Sequence, residues 1–348
     1  MSIYDLIISS EIAAYWELFT EQDAPYFGEE LFPDDKKLGL ELKWLKGSNG
    51  LPVVLKASSF DAAAVPRARI GFEKMSADMP FFKESLYIDE ELRQELNKVI
   101  ESGNQAYIDA VVNRIFNDEM SLLRGAAAQR ERMRMMALTT GTIVMTSNGQ
   151  VYEYDYGMPN DHKVNATKSW SDPTAPILED IRKGISKIQE DTGVTVKRAV
   201  CSSKVFGYMR ANKEIKSAIM VITNGVGWVS DAKLKQFIKD ELDIEVVTND
   251  KRYKDESNAT QRYVEDDIFV MFPEGELGHT WFGTTPEESD LMSNAAGAAD
   301  NVTITDTGVA ITTMRKTDPV QVETKVTQIC LPDFPTADQI YVLSTEQE

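Results

Sequence analysis

The chain has 348 residues, 42% of them hydrophobic, and a formal net charge of −19. That is enough length and apolar content for two or three domains with proper cores. The acidic balance argues against a nucleic-acid reader, which needs a net basic surface. No window approaches the roughly 20 uninterrupted apolar residues of a membrane span. The first residues lack a basic start and are interrupted by Asp5, Glu11 and Glu17, so they do not read as a secretory signal. Two cysteines, Cys201 and Cys330, are too few for a disulfide framework or a four-ligand zinc site and read as reduced, buried and inert. Without secretion the Asn-Ala-Thr triplets at Asn165 and Asn258 carry no meaning, and the expectation is a soluble protein made in a cytoplasm.

Residues 1–35 contain no Lys or Arg but nine carboxylates, among them Glu29, Glu30, Asp34 and Asp35. Within them Ile8, Ile12, Tyr15, Trp16 and Phe19 fit one face of an amphipathic helix. Residues 36–85 reverse the balance, with nine basic residues, including Lys56, Arg67, Arg69 and Lys74, against five acidic ones. An acidic arm followed by a basic segment predicts mutual attraction within or between chains, with a solvated surface as the plain alternative. Alternation predicts a strand over 38–45 and another over 51–55. Residues 56–85 lack a period and carry Pro66 and Pro80, so they read as a long excursion reaching another subunit.

A short helix is predicted over 89–102, and a single long one from Asn104 to about Thr139. Its stripe runs through Ile108, Val111, Val112, Ile115, Phe116, Leu122 and Leu123, and Gly141 stops it. At about 1.5 Å per residue such a helix is roughly 50 Å long, a beam rather than a small-domain core element. Asn148-Gly149 then predicts a tight hairpin over 142–156, packed against the helix. Ile143 and Met145 share a face with Tyr152, Tyr154 and Tyr156, and Val144, Val151, Glu153 and Asp155 take the other. After a polar linker, Asp172-Pro173-Thr174 opens an α/β module. It is expected to hold helices over 177–193, 204–216 and 230–242 and strands over 194–201, 244–248 and 268–272, with a polar loop over 249–266. Strands after Gly308, ending with 340–343, are expected to return to the module of the long helix.

Chemistry-bearing patterns are missing. His162 and His279 have no second ligand at metal spacing, and Gly225-Val226-Gly227 reads as a turn rather than a phosphate cradle. Cys201-Ser202-Ser203 has no credible base beside it. Met120, Met133, Met135 and Met136 fit adaptable packing on the long helix. Arg124, Arg130, Arg132 and Arg134 cluster on its second half, read as a salt-bridged interface or as a face toward nucleic acid. No catalytic, cofactor or metal residue is predicted, and no enzyme.

Several motifs occur in a familiar order. They are Pro66-Arg67-Ala68-Arg69 and Met79-Pro80-Phe81-Phe82 closing the basic loop, the stretch from Val111 to Met136, Trp170-Ser171-Asp172-Pro173, and Phe282-Gly283-Thr284-Thr285-Pro286-Glu287. With them, the chain resembles the lambda-type capsid protein E family of tailed-bacteriophage major capsid proteins across nearly its whole length. The resemblance implies an α+β, Hong Kong 97-like capsid fold with five segments. These are an N-terminal arm (1–35), an extended loop (36–85), a peripheral domain with spine helix and hairpin (86–171), an axial α/β insertion (172–307) and a return to the peripheral domain (308–348).

It further implies a virion structural protein, synthesised in the host cytoplasm, that self-assembles as hexamers and pentamers into an icosahedral shell. The shell would enclose double-stranded DNA without sequence-specific binding. A portal protein, a separate scaffold protein (given the short segment before the basic loop) and a decoration protein would be partners, with no membrane and no cofactor. Candidate intersubunit contacts are Lys56, Arg67, Arg69 and Lys74 against Glu29, Glu30, Asp34 and Asp35. The arm and loop are expected to order only against neighbours, since neither has the apolar periodicity to hold itself down. Two other readings stay open: a cellular, encapsulin-like nanocompartment shell with the same fold, and an unrecognised enzyme that a deep polar pocket would reveal.

Overall fold

The computed structural model describes residues 8–20, 25–46, 73–88, 90, 94, 97–98, 101, 105–147, 150–222, 229–293, 301–318 and 320–346. Lys56, Arg67, Arg69, the strand expected over 51–55, the Asn148-Gly149 pair and Gly225-Val226-Gly227 lie outside them. Of the short helix expected over 89–102, residues 90, 94, 97, 98 and 101 are described, and all are helical.

The chain begins with helices α1 (Ser9–Thr20) and α2 (Phe27–Leu31). Strands β1 (Asp34–Lys36), β2 (Glu41–Lys46), β3 (Glu73–Asp78) and β4 (Phe81–Ile88) follow. The long helix α3 (Gln105–Thr140) leads into β5 (Thr142–Ser147), β6 (Gln150–Asp155) and β7 (Lys163–Asn165). Next come α4 (Ile177–Thr192), β8 (Arg198–Cys201), α5 (Ser203–Ala211), α6 (Lys213–Ile222), α7 (Asp231–Leu242) and β9 (Glu245–Thr248). Strands β10 (Arg252–Lys254), β11 (Thr260–Arg262), β12 (Ile268–Phe272) and β13 (Thr280–Phe282) precede α8 (Pro286–Met292). The last strands are β14 (Val302–Thr305), β15 (Val309–Thr317), β16 (Val320–Pro332) and β17 (Tyr341–Ser344).

These elements form two compact units. One comprises Met1–Leu42, Ala77–Arg134 and His279–Asp333; the other comprises Lys43–Ser76, Met135–Gly278 and Phe334–Glu348. The segments differ from the expected ones in four places. The arm belongs to the first unit. Strand β13 and helix α8, expected in the insertion, also belong there, because β13 pairs in parallel with β1 (Asp34↔Thr280) and antiparallel with β16 (Phe282↔Cys330). Strand β17, expected to return to the long helix's module, instead pairs with β12 and β7 in the second unit. Finally, α3 is one continuous helix, but the division falls inside it, and the β5–β6 hairpin groups with its last turns rather than with its length.

In the first unit, β1-β13-β16-β15-β14 form a sheet and β4 pairs alongside β16, from Ile88↔Val322 to Phe81↔Ile329. Strands β3 and β4 occupy part of the stretch expected as irregular loop. Strand β3 pairs with β2. One sheet face, carrying Val322, Thr324, Val326 and Gln328, lies toward α3. Through residue 125 the described side chains of α3 are buried on one stripe (Ile115, Glu119, Met120, Leu122, Leu123), with Val111 and Phe116 half-buried and the rest exposed. From Arg130 to Thr139 every described side chain is buried or half-buried, so the stripe widens into a fully enclosed helix. The arm helix α1 buries Ile12, Ala13 and Trp16 completely or nearly so and lies against β14 and β15. The described α1 of the arm thus packs within the chain, contrary to the sequence expectation, because Ile12 and Trp16 repeat at four-residue spacing onto an apolar sheet face.

The second unit is built on the sheet β7-β17-β12-β8-β9. Its core gathers Trp170, Ile177, Ile181 and Ile188 with Phe269 and Met271. Helix α4 ends at Gly193 (φ 73°), whose N–H bonds Gln189 O at 2.9 Å, a glycine cap of the expected kind. The predicted helix over 204–216 is two helices broken at Asn212. The Asn212 side-chain oxygen accepts the Glu214 and Ile215 amides, while its amide nitrogen donates to Ala175 O at 2.8 Å. The polar loop over 249–266 contains the β10–β11 hairpin. The β5–β6 register, Ile143↔Tyr154 and Met145↔Tyr152, is the one Asn148-Gly149 predicts. Its two faces also match, with Ile143 and Met145 buried and Val144 and Val151 exposed.

Candidate functional site

The most concentrated polar constellation lies in the first unit, where α3 carries Arg130, Glu131 and Arg134 in an enclosed setting. Arg134, 1% exposed, donates from Nε to Thr280 Oγ1 at 2.8 Å and pairs through Nη2 with the Asp34 carboxylate on β1. Thr280 passes its own proton to Phe32 O at 3.0 Å. One turn earlier, Arg130 donates to Gln328 Oε1 (3.0 Å) and Asp306 Oδ2 (2.9 Å), and its guanidinium sits 5.5 Å from the Phe282 ring centre. Asp306 also accepts the Trp16 indole N–H at 2.9 Å. The Glu131 carboxylate accepts the Gly28 amide with both oxygens, at 3.0 and 3.1 Å, closing the start of α2.

Three charged side chains on one helix therefore hold the arm, directly at Gly28 and Asp34 and, through Asp306 and Thr280, at Trp16 and Phe32. The cluster of arginines singled out in the sequence contains the anchors. Their partners lie about a hundred or more residues away, which no local pattern reveals. Burial raises the Asp34 carboxyl above its ordinary value, even with Arg134 and Arg130 drawing it down. Desolvation is thus the larger effect here, and the arginines are what make a buried carboxylate tolerable.

The predicted contact residues separate. Asp34 is committed to Arg134 within the chain, whereas Glu29, Glu30 and Asp35 are exposed. Lys74 lies on β3, and Lys56, Arg67 and Arg69 are outside the described residues. Exposed apolar side chains on the first unit include Leu38 (74%), Leu40 (53%), Phe81 (45%) and Tyr87 (49%).

The constellation offers structure rather than chemistry. Burial pushes both thiols, Cys201 and Cys330, up to about 12, so neither is a ready nucleophile. His162 is fully buried between Ile340 O (3.0 Å) and Asp191 Oδ2 (2.9 Å), a satisfied core histidine. Among the described residues no group of His, Cys, Asp or Glu could hold a metal ion, and no helix is long and apolar enough to cross a membrane.

The fold is similar to that of a protein assigned as a prophage capsid protein in E. coli CFT073, with a TM-score of 0.62 and 14% identity over 98% of this chain and 99% of that one. A phage-related protein from Bordetella bronchiseptica RB50 matches with a TM-score of 0.56 and 12% identity over 97% of each chain. A chain of the cyanophage A-1(L) capsid asymmetric unit matches with a TM-score of 0.53 and 11% identity, over 93% of this chain and 95% of that one. The architecture is that of Hong Kong 97-like phage capsid proteins. The chain belongs to the phage major capsid protein E family, whose sequence profile matches residues 11–341. No curated protein matches it.

Proposed function

We propose that copies of this capsid protein assemble into hexamers and pentamers of an icosahedral virion shell that encloses double-stranded DNA. The observation that carries the reading is the family match over residues 11–341. The physical features support it. Shells close through repeated heterologous contacts, each modest and collectively strong. Exposed apolar side chains such as Leu38, Leu40, Phe81 and Tyr87 suit such contacts. A net charge of −19 keeps an inner wall from sticking to packed DNA.

In this reading the second unit's α/β sheet takes the axial place, around the five- and six-fold axes, and the first unit the peripheral place. A separate scaffold, a portal and a decoration protein are the partners, the protein is made in the host cytoplasm, and it has no enzymatic role. The basic residues Lys56, Arg67, Arg69 and Lys74 clasp the exposed carboxylates Glu29, Glu30 and Asp35 of a neighbour.

The test is sedimentation and electron microscopy of the wild type beside the Arg67→Glu/Arg69→Glu double variant. The wild type is expected to form large closed particles. The variant is expected to remain soluble and folded but to assemble poorly, with a yield that depends on salt. Normal particles from the variant at low and high salt would remove the electrostatic clasp. Absence of particles from the wild type, with scaffold supplied, would remove the shell itself.

A further inference from the structure

Among the described carboxylates of the first unit, Glu119 is the one with a buried oxygen that lacks a hydrogen-bond partner. It sits in the middle of the apolar stripe of α3, four residues after Ile115 and three before Leu122, and is 2% exposed. Its neighbour across the interface is Thr324 on β16, 1% exposed, on the sheet face that lies toward α3. Neither Glu119 Oε2 nor Thr324 Oγ1 has a protein hydrogen-bond partner of ordinary geometry. A carboxylate so enclosed with one oxygen unanswered is costly in its ionised form. In its neutral form the carboxyl no longer carries a charge into this enclosed pocket, and the Thr324 hydroxyl beside it eases, without removing, the cost of the ionised form.

Among the described residues no cation offsets the burial. On its own helix the nearest charge is Asp118, exposed, which also disfavours ionisation. On the sheet face toward α3 the charged residues are Glu84 on β4 and Arg315 on β15, both exposed. Lys316, Glu323 and Lys325 alternate onto the opposite face, where Lys316 pairs with Glu323 and Lys325 with Glu287. From the arm, Glu11 and Glu17 of α1 are exposed.

We propose that Glu119 is a proton-controlled pin: neutral, it lets the first half of α3 stay closed on the sheet beside Thr324, and ionised, it loosens that half. Burial raises its carboxyl to about 7; the Thr324 hydroxyl draws it down, and the nearby Asp118 charge adds to the rise. The direction follows from linkage. Between the ordinary value of 4.5 and about 7 the folded chain holds a proton that the unfolded chain has released. Stability therefore falls as pH rises through that window and is flat above it. The pin operates near neutral pH, and it holds or fails independently of whether copies form a shell.

The experiment is hydrogen exchange of the full-length, unassembled chain between pH 5 and 8.5, corrected for intrinsic rates and read at amides of residues 105–125. In the wild type, protection is expected to fall by roughly ten- to a hundredfold between pH 5 and about 7 and to level off above that. In Glu119→Gln, an uncharged near-isostere, that fall should vanish while protection at acid pH is kept. Thr324→Val, which removes the group that draws the carboxyl down, should move the midpoint to higher pH. A pH response in Glu119→Gln equal to the wild type's would overturn the proposal. Should that variant not fold, an unmoved midpoint in Thr324→Val would overturn it equally.

Discussion

Replacing Arg134 by alanine is expected to cost about 3–5 kcal/mol, because it leaves a buried carboxylate without its partner. Arg134 is the hub between α3, β1 and β13. Asp34 loses its guanidinium, and Thr280 loses the donor on its hydroxyl oxygen. Urea denaturation reads the total loss, and hydrogen exchange should localise it to Phe27–Leu31 and Asp34–Lys36, the parts of the arm that Glu131 and Arg134 hold. Lysine at this position should not rescue, since one ammonium cannot serve Thr280 and Asp34 as the planar fork does. The deficit also has a pH sign. Without Arg134 the Asp34 carboxyl rises further above its unfolded value, so the variant regains stability as pH falls and Asp34 takes up a proton. A second change, Asp34→Leu together with Arg134→Met, should restore most of the loss by removing both charges. A cost of less than about 1 kcal/mol for Arg134→Ala, the range of an exposed pair, would mean that the arm is not held as described.

Trp170→Ala should be comparably damaging in the second unit, about 3–5 kcal/mol, the range for removing a large buried aromatic. Trp170 is 1% exposed, its ring centre lies 5.4 Å from that of Phe269, and its indole N–H donates to Asp180 Oδ2 at 3.2 Å. Asp180 keeps Thr167 as a partner, so the loss should be mainly packing. Trp170→Phe, which retains most of the ring volume, should recover more than half of it. Thermal unfolding followed by near-ultraviolet circular dichroism distinguishes the two variants. Equal losses from both would instead place the weight on the indole–Asp180 hydrogen bond.

Trp170 was legible as part of a motif, and the structure explains why such a motif says little about chemistry: its tryptophan fills a core. Elements with strong local signals were read well. The spacing from Tyr107 to Leu123 and the stop at Gly141 delimit α3, which ends one residue before that glycine at φ 71°. The Asn148-Gly149 pair alone predicts the β5–β6 register. Short strands without a period were missed. Strand β4, Phe-Phe-Lys-Glu-Ser-Leu-Tyr-Ile, mixes apolar and charged residues because it lies at the sheet's margin, half-exposed on both faces.

Long-range choices were invisible for a different reason. Strand β17 could pair with either sheet as far as its own residues reveal; tertiary register decides. The arginine cluster on α3 was visible, but a salt-bridged interface between chains and a grip on the chain's own arm look alike in one sequence. Glu119 carried a signal that went unread: a lone carboxylate at a stripe position of an otherwise apolar helix face.

The central claim is that this chain is a shell subunit, and cryo-electron microscopy of particles assembled from the purified chain with its scaffold tests it most directly. The expected map is a closed icosahedral shell, with the sheet containing Arg198–Cys201 and Ile268–Phe272 clustered at the five- and six-fold axes. Monodisperse subunits under every assembly condition would contradict the claim, as would closed particles with that sheet at the capsomer rim for the axial assignment.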